Sequence, residues 1–186
     1  MSRISFLRSN PKKTLGALAT VLAATALIGG TGASFSAHSA NPANVFTAGV
    51  LQHSNSKAGS AVLSITKMKP GDTQSGTVTL TNTGDIVGTF GLTKSALVDT
   101  AGQNGGVLSG RLDVEITDTG SNTVVYTGKV GAMGALALGT YAAGEAHTYR
   151  FAVSFPDAGT AASDTTGDNA FKGSTLSVQY DFAEVQ

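Results

Sequence analysis

The 186-residue sequence contains no cysteine and no tryptophan, and only 13% of its residues are charged. Without cysteine, the protein has no disulfide framework, no thiolate metal site and no cysteine nucleophile. The charged fraction is about half of the usual share for soluble domains. Because 41% of the residues are apolar, the chain is not a disordered polyelectrolyte. The composition therefore predicts a folded domain that is large enough to bury a core without covalent staples.

The formal net charge of zero divides into two unequal parts. The 12 basic residues balance the 12 acidic ones, but four of the basic residues, Arg3, Arg8, Lys12 and Lys13, lie in the first thirteen positions. The remainder has 8 basic and 12 acidic residues, a net charge of −4. A mildly acidic body offers no basic surface to a phosphate backbone, so we do not expect nucleic acid as a partner.

A basic N-terminus followed by an apolar run is typical of a secretory signal peptide. Here the uncharged stretch 14–30 follows the basic residues, and small residues follow it. We predict cleavage between Ser34 and Phe35, so that residues 1–34 are a signal-peptide helix and residues 35–186 are a single secreted domain. The alternative is a retained anchor, since the run reaches the lower limit of a membrane-spanning length. We expect the processed chain to have no other membrane contact.

The body of the chain alternates between apolar and polar residues over short runs, which is the pattern of half-buried β-strands. Turn residues such as Pro70-Gly71-Asp72 separate these runs. No segment after residue 35 has a convincing helical period, although 131–138 could form one or two turns. About eight strands joined by short turns predict an antiparallel β-sandwich or jelly roll. The clearest runs are 61–66, 77–81, 112–117, 124–130, 146–155 and 176–182.

Residues suited to catalysis or metal binding are few and scattered. The chain has neither the HExxH motif of a zinc protease nor the GxSxG elbow of a serine hydrolase. We therefore predict no catalytic residue, no metal site and no cofactor. Glu145 and His147 share one face of a predicted strand and could contact one metal ion, but the pattern favours a solvated polar face. The acidic loop 157–169 offers oxygen ligands for calcium, without the spacing of a known calcium loop.

An uncharged, strand-forming segment lies near the predicted new N-terminus, at residues 44–51. Its large apolar residues are Val45, Phe46, Val50 and Leu51. A terminal strand can pair within its own domain or with the open sheet edge of another subunit. The second arrangement is head-to-tail, and it generates an open filament when it does not close into a ring. The residues alone leave both arrangements open.

Several motifs, in order along the chain, resemble those of the TasA/camelysin (CalY) family. An apolar segment ends in glycines, a small residue and an aromatic at 29–35, and the segment 44–51 follows it. Residues 68–72 (MKPGD) are similar to the family's Leu-x-Pro-Gly-Asp turn, and residues 80–84 (LTNTG) resemble its strand-ending Asn-x-Gly. Residues 169–186 resemble the family's closing strand, which begins Asn-x-Tyr-Gln-Gly-Ser and ends Ala-x-Gln. Two positions depart from this pattern, with Phe171 in place of Tyr and Lys172 in place of Gln.

The resemblance implies a jelly-roll domain that is exported through a signal peptidase of the SipW type. It also implies assembly into extracellular biofilm-matrix or cell-surface fibres of a bacterium by donor-strand exchange. The donor strand would then be 44–51, the main partner a second copy of the chain, and other matrix proteins further partners. Camelysin members are classed as metalloproteases, so a cell-surface metalloprotease is one alternative, although the chain has no motif onto which catalytic positions can be carried. A matrix or adhesion accessory protein that never polymerises is the other.

Overall fold

Antiparallel β-strands make up the computed structural model of the protein, which describes residues 47–159 and 163–186. Two 3₁₀ helices lie at Val130–Ala132 and Gly167–Phe171, and the described residues contain no α-helix. No helix in this part of the chain is long and apolar enough to cross a membrane. The strands are β1 (His53–Asn55), β2 (Thr73–Asn82), β3 (Gly88–Thr100), β4 (Asp113–Asp118), β5 (Thr123–Lys129), β6 (Leu136–Tyr141), β7 (Ala146–Ser154) and β8 (Thr175–Val185).

The strands form two sheets. One has five strands in the order β1-β2-β7-β4-β5, and the other has three in the order β6-β3-β8. Every pair of neighbouring strands is antiparallel. The all-β class and the antiparallel pairing are therefore confirmed. The jelly roll stays a prediction, and the signal-peptide helix lies outside the described residues.

Alternate residues of both sheets build one apolar core. In β2, Val78 and Leu80 are buried, and in β3 the same holds for Phe90 and Leu92. Burying one such side chain stabilises the fold by about 1.5–3 kcal/mol relative to leaving it exposed. The largest buried aromatic residues of the core are Phe90, Tyr141, Tyr149 and Phe151.

The predicted strand at 61–66 is wrong. These residues pair with no strand among the described residues and form part of the connection between β1 and β2. Val62, Leu63 and Ile65 are nevertheless half-buried against the core. The alternating apolar residues therefore indicate that these side chains contact the core. They do not indicate a strand, because a strand also needs hydrogen bonds to a neighbouring backbone.

Two strands of the smaller sheet were not predicted. In β3, a bulge between Ser95 and Val98, with Ala96 at a φ of 44°, interrupts the alternation. At 131–138, where one or two helical turns were considered, a single 3₁₀ turn over Val130–Ala132 gives way to β6. Bulges and glycines hide strands because they break the two-residue period on which the prediction depends.

Candidate functional site

A groove with both apolar and polar lining opens along one side of the protein, between β8 and the chain that precedes β2. It has a volume of about 1490 Å³. Phe151 and Val153 of β7, with Phe155 just beyond it, form part of its lining. Burial raises the pKa of the Tyr180 hydroxyl to about 12, so this side chain is uncharged near neutral pH. All residues of β8 from Thr175 to Phe182 line the groove, and the apolar ones at alternate positions are Leu176, Val178, Tyr180 and Phe182.

The two sheets are joined differently on their two sides. On one side, the edge strands β5 and β6 contact each other. On the groove side, β8 pairs with β3 but with no second strand among the described residues. The edge of the larger sheet is covered by β1 only over Leu80–Asn82 of β2. Among the described residues, the 11-residue strand β8 thus has one backbone edge without a strand partner beside the groove, and such an edge is a template for an added strand.

The described part of the predicted donor segment, residues 47–51, is not a strand of either sheet. The Val50 N–H donates to Asp85 Oδ1 at 2.5 Å, and the Asp85 N–H donates to the Val50 carbonyl at 3.1 Å. Val50 and Leu51 are 54% and 37% exposed. This stretch therefore leaves its apolar side chains in solvent. The other residues predicted for cleavage or donation lie outside the described residues: Ser34, Phe35, Val45 and Phe46.

Asn82 fixes the loop on which this segment rests. Its side chain is fully buried, and Nδ2 donates to the carbonyls of Ile86 at 2.8 Å and Tyr141 at 3.0 Å. The Gly84 N–H is shared between Asn82 Oδ1 and the Gln52 carbonyl, at 2.9 and 2.8 Å. The Asn-x-Gly motif thus connects the core to the backbone of Gln52, which follows the segment 47–51.

A second polar cluster centres on His147 in β7. Its Nδ1 lies 2.7 Å from Asp118 Oδ2, and its Nε2 lies 3.0 Å from Glu145 Oε1. The imidazole stacks on Tyr141 with ring centroids 4.3 Å apart, and the Tyr141 hydroxyl shares a 2.5 Å hydrogen bond with that of Tyr149. Since each ring nitrogen faces a carboxylate, only the imidazolium, which donates from both nitrogens, satisfies both contacts.

The pKa shifts in this cluster favour the charged forms. Burial opposes a charge on His147, but its hydrogen bonds with Asp118 and Glu145 raise the pKa of the imidazole above its usual value. Burial likewise opposes a charge on Asp118, yet hydrogen bonds from His147 and the Gly120 N–H hold its pKa below the usual range. The Ala142 N–H and then His147 lower the pKa of Glu145. The cluster is thus a charged clamp between β4 and β7.

The sequence profile of a family described as camelysin metallo-endopeptidase matches residues 10–126, more than half of the chain. The chain belongs to the TasA/camelysin family. The matched range runs into β5 and includes the segment 44–51 and the Asn82 motif. At the level of the family, this camelysin-like chain is a secreted protein of the cell surface or matrix. No curated protein matches the chain.

The described residues of this camelysin-family chain do not fit the metal centre that the family's description implies. A catalytic zinc site takes three protein ligands and keeps one position open. Among the described residues, no three histidine, aspartate or glutamate side chains are grouped so that they could hold a metal ion. The predicted pair Glu145 and His147 does meet, but Asp118 takes the other nitrogen of the imidazole. No catalytic step is therefore derived through a metal.

The acidic loop that was considered for calcium uses its carboxylate differently. Asp168 Oδ1 accepts from Arg111 Nη2 at 3.2 Å, and both Asp168 oxygens accept from the Ala158 N–H. Asn169 donates through Nδ2 to the carbonyl of Ser163 at 3.0 Å. These polar groups therefore form hydrogen bonds that hold the loop. Their oxygens are not arranged around a common position where a calcium ion could bind.

The sequence reasoning missed two carboxylates, Asp118 and Glu184. The Glu184 side chain is 2% exposed, and its Oε2 lies 3.5 Å from His53 Nδ1. A Cβ on Gly88 would lie 2.1 Å from Glu184 Oε1, so a larger residue where β3 begins would require the Glu184 side chain to move. Glu184 is in phase with the inward-facing residues of β8, and the two-residue period could have identified it as inward-facing.

Proposed function

We propose that the processed chain is a structural subunit of extracellular biofilm-matrix or cell-surface fibres, and that it assembles head to tail by donor-strand exchange. The observation that carries this proposal is the edge of β8 beside the groove, which has no strand partner in the part of the chain that the structure describes. Its complement is an uncharged, apolar N-terminal segment whose described part joins neither sheet. One copy of the chain thus supplies both halves of a strand-addition contact.

In this assembly, residues 44–51 of one subunit extend along β8 of the next. An eight-residue strand spans about 26 Å, and an 11-residue strand spans about 36 Å, so the donor fits within the available edge. Phe46 and Val50 share one face of the extended segment, and Val45 and Leu51 share the other. In this proposal the face that carries Phe46 and Val50 fills the groove, while the backbone gains ladder hydrogen bonds. Cleavage after Ser34 by a signal peptidase of the SipW type frees this segment for donation.

The first test compares the chain that begins at Phe35 with a chain that begins at Gln52, by electron microscopy. We expect filaments from the longer chain and none from the shorter one, because the shorter chain lacks the donor. A sharper variant carries Phe46→Asp and Val50→Asp, which place two charges in the groove-facing row. The matched control, Ser39→Asp, adds a charge outside 44–51 and is expected to form filaments.

Donor-strand exchange fails as an explanation when the chain from Gln52 forms filaments as readily as the chain from Phe35. A chain from Phe35 that sediments as a monomer at every concentration tested favours the non-polymerising accessory protein instead. Both forms are compared by thermal unfolding, so that loss of filaments is not confused with loss of folding.

The family's description keeps a cell-surface metalloprotease as a second candidate. The chain from Phe35 would then degrade casein, and the degradation would stop with a chelator and with His147→Ala. Because the described residues bring no ligand set together, we expect no casein degradation above that of a buffer control. Chelator-sensitive degradation that His147→Ala abolishes would reverse this preference.

A further inference from the structure

Residues 60–68, which connect β1 to β2 and which we call the strap, form the side of the groove opposite β8. The chain is anchored before the strap by two hydrogen bonds: the Ser56 N–H donates to the Thr79 carbonyl at 3.0 Å, and the Thr79 N–H donates to Ser56 Oγ at 2.8 Å. After the strap, the Gly71 N–H donates to the Phe155 carbonyl at 2.7 Å. The strap is therefore fixed by hydrogen bonds on both sides. Between these fixed points it runs along the groove.

Between these anchors, the strap is held by its side chains. Residues 61–68 make no backbone hydrogen bond with the rest of the described chain. Leu63 and Ile65 pack against the core and line the groove together with Phe151 and Val153. The strap therefore has the apolar contacts of a strand without its hydrogen-bond ladder.

The strap also lies over the core-facing side of β2, beside a stretch of the β2 edge that has no strand partner among the described residues. Thr79 directs both its N–H and its carbonyl toward Ser56, so in an antiparallel strand Thr77 and Ser75 direct theirs to the same side. Neither has a backbone partner on that side among the described residues. The Val62 carbonyl lies so close to Gly76 that a Cβ there would be 2.1 Å from it. Because a Cβ projects from the face of a sheet, and Gly76 is in phase with the buried Val78 and Leu80, the strap here packs on the core-facing side of β2.

The strap ends in a backbone conformation that favours its release. Lys67 has a φ of 58°, in the left-handed region that residues with a Cβ seldom adopt. The strap and the turn after it carry Lys67 and Lys69, both exposed, and only Lys69 has an ion-pair partner there, Asp72. A displaced strap would thus relieve strain and expose little additional charge.

We propose that the strap is an autoinhibitory placeholder, which covers the groove of the monomer until a donor strand from a second copy displaces it. This proposal rests on the donor-strand function proposed above. The strap and the donor strand are both largely apolar, and both would pack on Phe151 and Val153 in the groove. Only the donor strand would also form ladder hydrogen bonds. Exchange is therefore favourable, and release of the strap limits its rate.

The test measures binding of a fluorescent synthetic peptide of residues 35–51 to the full processed chain carrying Phe46→Asp and Val50→Asp, which cannot donate to itself. Adding Leu63→Ser is expected to speed association on the order of tenfold, the factor that corresponds to losing roughly half of the burial of one leucine. The neighbouring exposed residue supplies the matched control, Ser64→Ala, which should leave the rate unchanged. Stopped-flow anisotropy gives both rates, and thermal unfolding checks that each variant is folded.

A second measurement needs no change in the strap. Trypsin cleavage after Lys67, followed by mass spectrometry, should be several-fold faster when the peptide is bound, because a displaced strap is accessible. Equal association rates for Leu63→Ser and its parent, with unchanged cleavage, would overturn the strap proposal and leave donor-strand exchange intact. A peptide that binds none of the variants would overturn the proposed function, and the strap proposal with it.

Discussion

Replacing Asn82 with alanine is expected to lower the free energy of unfolding by about 3–4 kcal/mol. The side chain is fully buried and makes three hydrogen bonds, to the carbonyls of Ile86 and Tyr141 and from the Gly84 N–H. Each such bond contributes about 0.5–1.5 kcal/mol, and a buried carbonyl left without a donor costs about 1–3 kcal/mol. Alanine at this position leaves the carbonyls of Ile86 and Tyr141 without this donor at the same time.

Urea unfolding of the processed chain measures this loss, with Asn55→Ala as the matched control. Asn55 also uses its side chain in one hydrogen bond, accepting from the Lys57 N–H at 2.8 Å, but in a local turn. We expect the control to lose no more than about 1 kcal/mol. Hydrogen exchange should also show faster opening of residues 83–86 in Asn82→Ala. If both variants lose the same small amount, Asn82 does not anchor the loop.

The clamp around His147 is expected to give the protein its greatest stability between about pH 4 and pH 6.5. The raised pKa of His147 means that its contribution is complete below the unfolded pKa and is lost as the pH rises through the folded pKa. The lowered pKa of Asp118 means that its contribution is complete above the unfolded pKa and is lost as the pH falls through the folded pKa. Asp118→Asn removes a charge-assisted hydrogen bond, which costs about 2 kcal/mol at the optimum.

Unfolding by urea at a series of pH values tests the clamp, with Asp72→Asn as the control. The pKa of Asp72 is also lowered, chiefly by its hydrogen bond from Lys69, but no histidine takes part in that pair. The control should therefore change the profile only on the acidic side. Asp118→Asn should change both sides, because it also removes the group that raises the pKa of His147. A parent profile that is flat from pH 6 to pH 9 would contradict the clamp.

Much of the fold could be predicted because the two-residue period survives in β2, β4, β7 and β8. In each of these strands, inward-facing residues such as Val78 or Phe151 alternate with polar ones. The period fails in β3, where the bulge at Ala96 shifts the inward row. In the strap, the same two-residue period gives a wrong prediction. Its apolar side chains Leu63 and Ile65 are half-buried at alternate positions, but no neighbouring strand pairs with its backbone among the described residues.

The candidate site was less predictable, because it is formed by residues far apart in the sequence. The pair Glu145 and His147 could be found from their spacing, but the partner that decides their chemistry, Asp118, lies 29 positions away from His147. The groove likewise joins β7 and β8 across the loop that contains Gly167–Phe171. The donor half of the proposed contact is local in sequence and was therefore visible, whereas the acceptor half depends on tertiary pairing.

The pairing of β3 with β8 has a consequence for the timing of folding during export. Thr100 pairs with Thr175, 75 positions later in the chain, and the other β3–β8 pairs are further apart. Such non-local pairing forms slowly, because a long loop must close before any contact stabilises it. In a chain that crosses a membrane N-terminus first, the last strand emerges last, so the smaller sheet and its acceptor edge are completed only on the far side. Under the proposed donor-strand assembly, late completion of β8 would thus leave the acceptor edge unformed until the chain has crossed the membrane.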